Sequence, residues 1–410
     1  MRNLYIGMPN LIDNKYCTGC QACVNACPRS AISMCENEEG FYFPKIDEGK
    51  CVSCSLCEKS CPALRPLKET VVNQKVFAVI SLLDQDLSSS GGAFSVFARY
   101  VISKRGVVFG ATMDESLQVK HIHIETIDEL PKIRGSKYVQ SFIGDSYKCV
   151  KSFLKANRMV LFSGTPCQVA GLYSYLGNNR YESQLITLDL VCHGVPCQLF
   201  FDAYIAKLQR EYCNGAKIER FRFRKLDAWD YRPAYQKVNE LKWTVTRLEK
   251  DSYMKAFFKG LSYRESCYHC KYANINRVGD FTIADFWGIG THGTKFNHSI
   301  GSGVSAVIDN CNRMQSIRAE LNQYAIIEER ALDEILADNQ NLKGAVARPN
   351  ERNEAIKDML DMNMSLSNYS KKYKLLPKNR VKYWICELFK TVVYSLNLYN
   401  FYKSISYRLK

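Results

Sequence analysis

Apolar positions divide the chain into three stretches of different texture. From about residue 75, short apolar runs alternate with helical ones. Residues 76–80 read as a buried strand, 93–103 as a helix and 107–110 as a second strand. Residues 158–162 form a strand that runs through Ser163-Gly164-Thr165-Pro166-Cys167 into a helix ending at Leu176. Residues 185–191 form another, leading through Cys192-His193-Gly194 into a helix over 198–211, and 280–286 is a further strand. This alternation predicts an α/β or α+β domain. Residues 220–225 alternate as a strand with Phe221 and Phe223 inward and the arginines outward. Ahead of this region only residues 39–47 read as a short strand and turn, fitting a hairpin. Near the end, Trp384/Ile385, Leu388/Phe389, Val392/Val393 and Leu396 recur at helical spacing.

At roughly 100–200 residues per domain, 410 residues predict two or three domains. The texture places them at 1–70, 71–345 and 346–410, the last a basic linker with an amphipathic C-terminal helix. With 46% apolar and 24% charged residues, disorder and fibrous repeats are excluded as readings of the whole. The formal charge is +15, which would ordinarily suggest nucleic acid or an anionic membrane. Residues 371–410, however, carry ten Lys/Arg and one Glu, so +9 lies in the tail and +6 in the rest. Such a tail suits either contact with a membrane surface or packing of its apolar stripe on the body or a partner, and no nucleic-acid partner is expected. The N-terminal residues lack a signal-peptide core, and no uncharged 18-residue apolar run occurs. The expectation is a cytoplasmic protein, with a peripheral place at the inner membrane face as the alternative that the tail leaves open. Its thiols would stay reduced, so its cysteines are read as metal ligands.

Nine of the 18 cysteines fall in the first 61 residues. Eight form two copies of one pattern, Cys17-x2-Cys20-x2-Cys23-x3-Cys27-Pro28 and Cys51-x2-Cys54-x2-Cys57-x3-Cys61-Pro62. In such runs three close thiolates cap a cubane and the fourth crosses to the other cluster. The pattern assigns Cys17, Cys20, Cys23 and Cys61 to one 4Fe–4S cluster and Cys51, Cys54, Cys57 and Cys27 to a second. Zinc also binds CxxC pairs, but the tandem run is far more specific. Cys35, outside both runs, reads as a buried thiol.

Cys167 and Cys192 end two successive strands, and adjacent parallel strands would bring them within reach of one ligand. Cys267-x2-Cys270 supplies two more soft ligands, enough for a third cubane or a zinc. An electron-transfer module in the same chain favours iron–sulfur; a redox-active disulfide is another alternative. Cys197 could substitute as a ligand, whereas Cys149, Cys213, Cys311 and Cys386 read as solitary core thiols. The Ser88–Gly92 loop, at a strand end before a helix, could present backbone N–H groups to phosphates or a flavin. Gly288-x-Gly290-x-x-Gly293 follows a strand but opens no helix, so it lacks the context of a dinucleotide site. Arg222 or Arg224 could clamp a pyrophosphate or an acidic substrate. The six histidines form no metal-spaced pair; His193 and His269, beside candidate ligands, suit proton delivery.

Several phrases together resemble the coenzyme F-420 hydrogenase/dehydrogenase β-subunit family: Ser90-Gly91-Gly92, residues 134–141, Gly164-Thr165-Pro166-Cys167-Gln168, residues 189–196, and Cys267-x2-Cys270 followed by residues 279–288. The resemblance spans residues 1 to about 345. It implies an FAD-containing reductase with a ferredoxin segment and a cluster beside the flavin, held by Cys167, Cys192, Cys267 and Cys270. Ser90, Gly91, Gly92, Gly135, Ser136, Lys137, Gly164 and Thr165 would then lie in the flavin pocket, with Lys137 and His193 as candidate catalytic groups. Cys197 stands where the family pattern has a serine. No motif marks a deazaflavin as the substrate. The expected function is an oxidoreductase passing electrons between ferredoxin, or a similar carrier, and a small-molecule substrate through FAD. The alternative is a non-catalytic electron-transfer subunit of a larger complex. Three cubanes at about −2 each would offset the +6 of residues 1–370.

Overall fold

The two cysteine runs fold as copies of one loop. Each enters a short helix, α1 (Ala22–Ala26) or α2 (Leu56–Lys59), and the antiparallel hairpin β1 (Ile32–Glu36)–β2 (Tyr42–Ile46) lies between them. Gly19 and Gln21 in the first loop, and Ser53 and Ser55 at equivalent places in the second, have φ between +53° and +66°. These left-handed residues curl the chain between successive cysteines, so the thiols turn toward one centre. The computed structural model describes residues 9–67, 73–177, 181, 183–224, 229, 231–246, 251–292, 294–300, 302–376, 385 and 389.

The larger region begins with β3 (Lys75–Ser81), α3 (Ala93–Ser103), β4 (Val107–Met113), β5 (Val119–Ile124), α4 (Leu130–Ile133) and α5 (Ser146–Lys155). It continues through β6 (Val160–Gly164), α6 (Pro166–Leu176), β7 (Leu185–Leu190) and α7 (Gln198–Tyr212). A small antiparallel sheet of β8 (Ile218–Arg222), β9 (Ala234–Lys237) and β10 (Thr244–Val245) follows, then α8 (Ser252–Phe258). The chain returns as β11 (Phe281–Asp285), β12 (Ser305–Asp309), α9 (Met314–Leu321), β13 (Ala325–Arg330) and α10 (Leu332–Asp338), and ends in α11 (Arg352–Leu360) and α12 (Leu366–Lys372).

Eight strands make one mixed sheet in the order β13-β3-β12-β11-β7-β6-β4-β5. β4, β6, β7 and β11 run parallel, and the flanking strands are antiparallel. Strand periodicity divides the core between two faces. Leu161, Phe77 and Val79 pack with α3 and α9, while Val160 and Phe162 pack with α5 and α6. On the same side as α5 and α6, Val76, Ala78 and Ile80 pack with α10. The result is a mixed α/β fold with a ferredoxin-type N-terminal segment, as the alternation predicts.

Three expectations change. Cys35 is exposed, because its strand β1 has only β2 as a neighbour and turns that side chain outward. Phe221 and Phe223 point inward, but Arg224 is buried beside them and paired with Asp285 at 2.8 Å. Residues 352–376 are packed helices rather than linker: Ile356, Met359, Leu366, Tyr369 and Tyr373 are buried with α7 and α8. The amphipathic tail lies outside the described residues except for Ile385 and Phe389, both helical and exposed. No described helix is long and apolar enough to cross a membrane.

Candidate iron–sulfur and cofactor site

Cys17, Cys20, Cys23 and Cys61 line one cavity, and Cys27, Cys51, Cys54 and Cys57 line a second. The fourth cysteine of each run therefore crosses to the other loop, as the ferredoxin spacing requires. The first set is the deeper: Cys17 and Cys20 are buried, whereas Cys54 is exposed. Burial is the main force raising the Cys20 thiol to about 12, with repulsion from Cys167, Cys17 and Cys61 adding to it. Ala31 donates its N–H to Cys27 Sγ at 3.2 Å, the kind of bond that stabilises a thiolate.

Cys167, Cys192, Cys267 and Cys270 form a third group. Cys167 follows β6 and Cys192 follows β7, the adjacent parallel strands, and Cys267 and Cys270 lie near enough for the four thiols to raise one another. Burial lifts Cys167 and Cys192 to about 12, and each is further raised by Cys270. Among the described residues no three Cys, His, Asp or Glu side chains sit closely enough to hold a single metal ion. Cubane ligands bind separate iron corners and need not meet at one point. Cys197 stands apart from all three sets. It caps α7, accepting from Phe200 N at 3.3 Å and donating to Glu39 O at 3.0 Å.

The first and third sets meet at α6. Gly171, one turn beyond Cys167, leaves room for Cys20: a Cβ there would lie 3.0 Å from Cys20 Cβ, 3.1 Å from its sulfur and 2.9 Å from Tyr147 Oη. Polar bonds fix this seam. Asn25 donates to Gly144 O at 2.9 Å, Gly144 N to Gln21 Oε1 at 2.9 Å, and Gln140 to Thr18 O at 2.8 Å. The three thiol sets thus form a series running from the exposed Cys54 inward.

Beyond the third set lies a cavity of about 280 Å³ at the carboxyl ends of β6, β7 and β11, where ligands of open α/β sheets bind. Ser90, Gly92, Gly135, Ser136, Lys137, Gly164, Thr165, Cys192 and His193 all line it. Gly91 does not. It is wedged between strands, where a Cβ would come within 2.3 Å of Ser305 N and Val79 O. His269 is also elsewhere, exposed and beside the Tyr16 ring, tilted 60° to it at 5.8 Å. The buried Asp84 organises the wall by pairing with Arg99 and Arg134, each at 2.6 Å. Ser89 Oγ accepts from Ser136 N at 3.0 Å, joining the Ser88–Gly92 loop to the Gly135 loop. Burial first, and then the charge of Arg134, draws Lys137 down to about 7. His193 is lowered by burial. Ser95 presents a buried hydroxyl with no hydrogen-bond partner among the described residues.

One cavity group escaped the sequence reading. His121 on β5 is buried, with Nε2 2.9 Å from Ser163 O and Nδ1 2.9 Å from Ser141 Oγ. The carbonyl can only accept, so Nε2 carries the proton and Nδ1 accepts from Ser141. Burial lowers this imidazole to about 4. Its strand neighbours gave no clue, because Ser141 and Ser163 are remote in sequence. Asp285 was likewise missed; it gathers Arg224, Trp229 Nε1 at 2.8 Å and Tyr231 at the aromatic end of the cavity.

Fold and thiol sets together define an iron–sulfur protein of the α/β class. Residues 157–335 match the model for the C terminus of the coenzyme F420 hydrogenase/dehydrogenase beta subunit, and residues 16–64 match the 4Fe–4S dicluster domain. The chain is an iron–sulfur electron-transfer protein related to the coenzyme F420 hydrogenase beta subunit. Among solved structures, it is similar to a chain of the xenon-derivatised F420-reducing NiFe hydrogenase complex from Methanosarcina barkeri, at 15% identity and a TM-score of 0.41, over 72% of this chain and 91% of that one. No curated protein matches the chain.

Proposed function

We propose that the protein is an FAD-dependent iron–sulfur oxidoreductase. It exchanges single electrons with ferredoxin or a similar carrier and passes electron pairs to a small-molecule substrate. In this reading Cys27, Cys51, Cys54 and Cys57 hold the outer 4Fe–4S cluster and Cys17, Cys20, Cys23 and Cys61 the inner one. Cys167, Cys192, Cys267 and Cys270 hold a third. The observation that carries the reading is that Cys192 belongs to the third thiol set and also lines the large cavity.

The cavity residues fit a flavin dinucleotide. Lys137 and Arg134 offer positive charge for a pyrophosphate, the Ser88–Gly92 loop and the start of α3 offer N–H groups, and the Ser95 hydroxyl needs a partner. Tyr231, Phe257 and Trp287 provide an apolar wall for a ring system. Bound FAD would supply the exchange between two-electron and one-electron chemistry. His193, following Cys192 in the wall, is placed to move a proton at the substrate. Gly164, Thr165 and Gln168 rigidify the floor: Thr165 caps α6, and Gln168 Oε1 accepts from Thr165 N at 3.0 Å. The basic amphipathic tail supports contact with an anionic membrane surface.

Anaerobic purification followed by iron, acid-labile sulfide and released-flavin analysis tests the reading. It predicts about twelve irons per chain, four for each of three cubanes, together with about one FAD. Clusters without flavin would favour the non-catalytic role, and zinc in place of iron would contradict the scheme.

A further inference from the structure

Among the described residues, buried arginines pair with carboxylates, with one exception. Arg224 pairs with Asp285, Arg330 with Glu334, Arg352 with Glu39 and Arg277 with Asp189. Arg264 is 1% exposed, yet among the described residues no carboxylate pairs with it. Its guanidinium donates from Nε to Cys17 O at 2.6 Å, from Nη2 to Tyr42 O at 2.8 Å and from Nη1 to Gln140 Oε1 at 3.2 Å. It lies over the Phe43 ring at 4.2 Å. Gly19 is kept small by it, since a Cβ there would come within 3.0 Å of Nη1. Neutral oxygens and rings satisfy its hydrogen bonds but not its charge, and an uncompensated buried cation is costly.

The position supplies the missing anion. Arg264 stands three residues before Cys267, and Cys267 N donates to its carbonyl at 2.9 Å. Its side chain holds the carbonyl of Cys17, a ligand of the inner set, while its own backbone carbonyl holds Cys267 of the third set. Arg264 therefore joins, through its side chain and its backbone, the loops of two thiol groups that, with clusters bound, would each carry about −2.

Resting on the cluster assignment above, we propose that Arg264 is the shared counter-charge of the inner and third clusters. It is a positioning residue that clamps the Cys17 loop to the Cys267 loop and raises both reduction potentials. One electron passes between the two cubanes, no bond is made or broken, and each reduced cubane is one charge more negative than its oxidised form. A fixed cation beside both loops stabilises both reduced forms and so favours electron residence on either cubane.

The test is an EPR-monitored redox titration of the full-length, cluster-loaded protein, comparing wild type with Arg264→Gln and Arg264→Lys. In Arg264→Gln the inner and third signals are expected to move to more negative potential while the outer signal stays. Arg264→Lys, which keeps the charge, is expected to restore most of the shift, and it remains informative if the glutamine variant does not fold. Three signals in wild type with unmoved potentials in Arg264→Gln, or a lysine variant shifted as far as the glutamine one, would overturn the inference alone. A wild type showing only the two ferredoxin-type signals would overturn the reading beneath it.

Discussion

Lys137 is set between opposing demands. Burial and Arg134 disfavour its charge and bring it to about 7, whereas an anionic ligand in the cavity would favour it. Below that value the ammonium is present. Above it, binding of a pyrophosphate must first take up a proton, so affinity falls as pH rises. FAD titrated into flavin-free protein should therefore bind up to about tenfold more tightly near pH 6 than near pH 8. Lys137→Met should bind more weakly and lose that slope, as followed by flavin fluorescence quenching. His121 presents the reverse case. Its imidazole is neutral at any working pH, so its contribution is a fixed acceptor for Ser141. His121→Asn should alter substrate or flavin affinity without moving the pH profile, which steady-state measurement across that range would show.

The elements report how much the sequence disclosed. Helices 93–103, 166–176 and 198–212 and the strands before them stand where alternation and strand-end Gly, Thr and Cys placed them, because local pattern and tertiary burial agree there. The ferredoxin ligands were readable for the same reason: their geometry is set by spacing along a few residues. What was hidden depends on contacts remote in sequence. Arg224 looked like a solvated strand residue until Asp285 arrived beside it from β11. Residues 352–376 looked basic and loose because most of what their apolar positions pack against, α7 and α8, is remote in sequence. Gly171 carries no signal in a helical run, yet it sets the approach of Cys20 to α6. Gly171→Val should overpack this seam at a cost of about 1–3 kcal/mol. Calorimetry should show a lower melting temperature, and the inner cluster's EPR signal should weaken before the others.

In the whole molecule, charge is partitioned as function would require. The tail holds +9 of the +15, and residues 1–370 hold +6, which three cubanes would bring close to neutral. Removing residues 377–410, beyond the packed Tyr373 and Leu375, should leave cluster and flavin content intact. Sedimentation with anionic vesicles should drop, and equal sedimentation of the truncated protein would exclude the tail as a membrane contact. In the proposed function the thiol series ends, through Cys192, at the cavity where FAD would bind. The most direct measurement is anaerobic stopped-flow reduction of bound FAD by a one-electron donor, in wild type and in Cys267→Ser. Wild type should reduce its clusters and then its flavin. The variant should reduce the two ferredoxin clusters at the wild-type rate while its flavin stays oxidised on that timescale; flavin reduction as fast as in wild type would contradict the account.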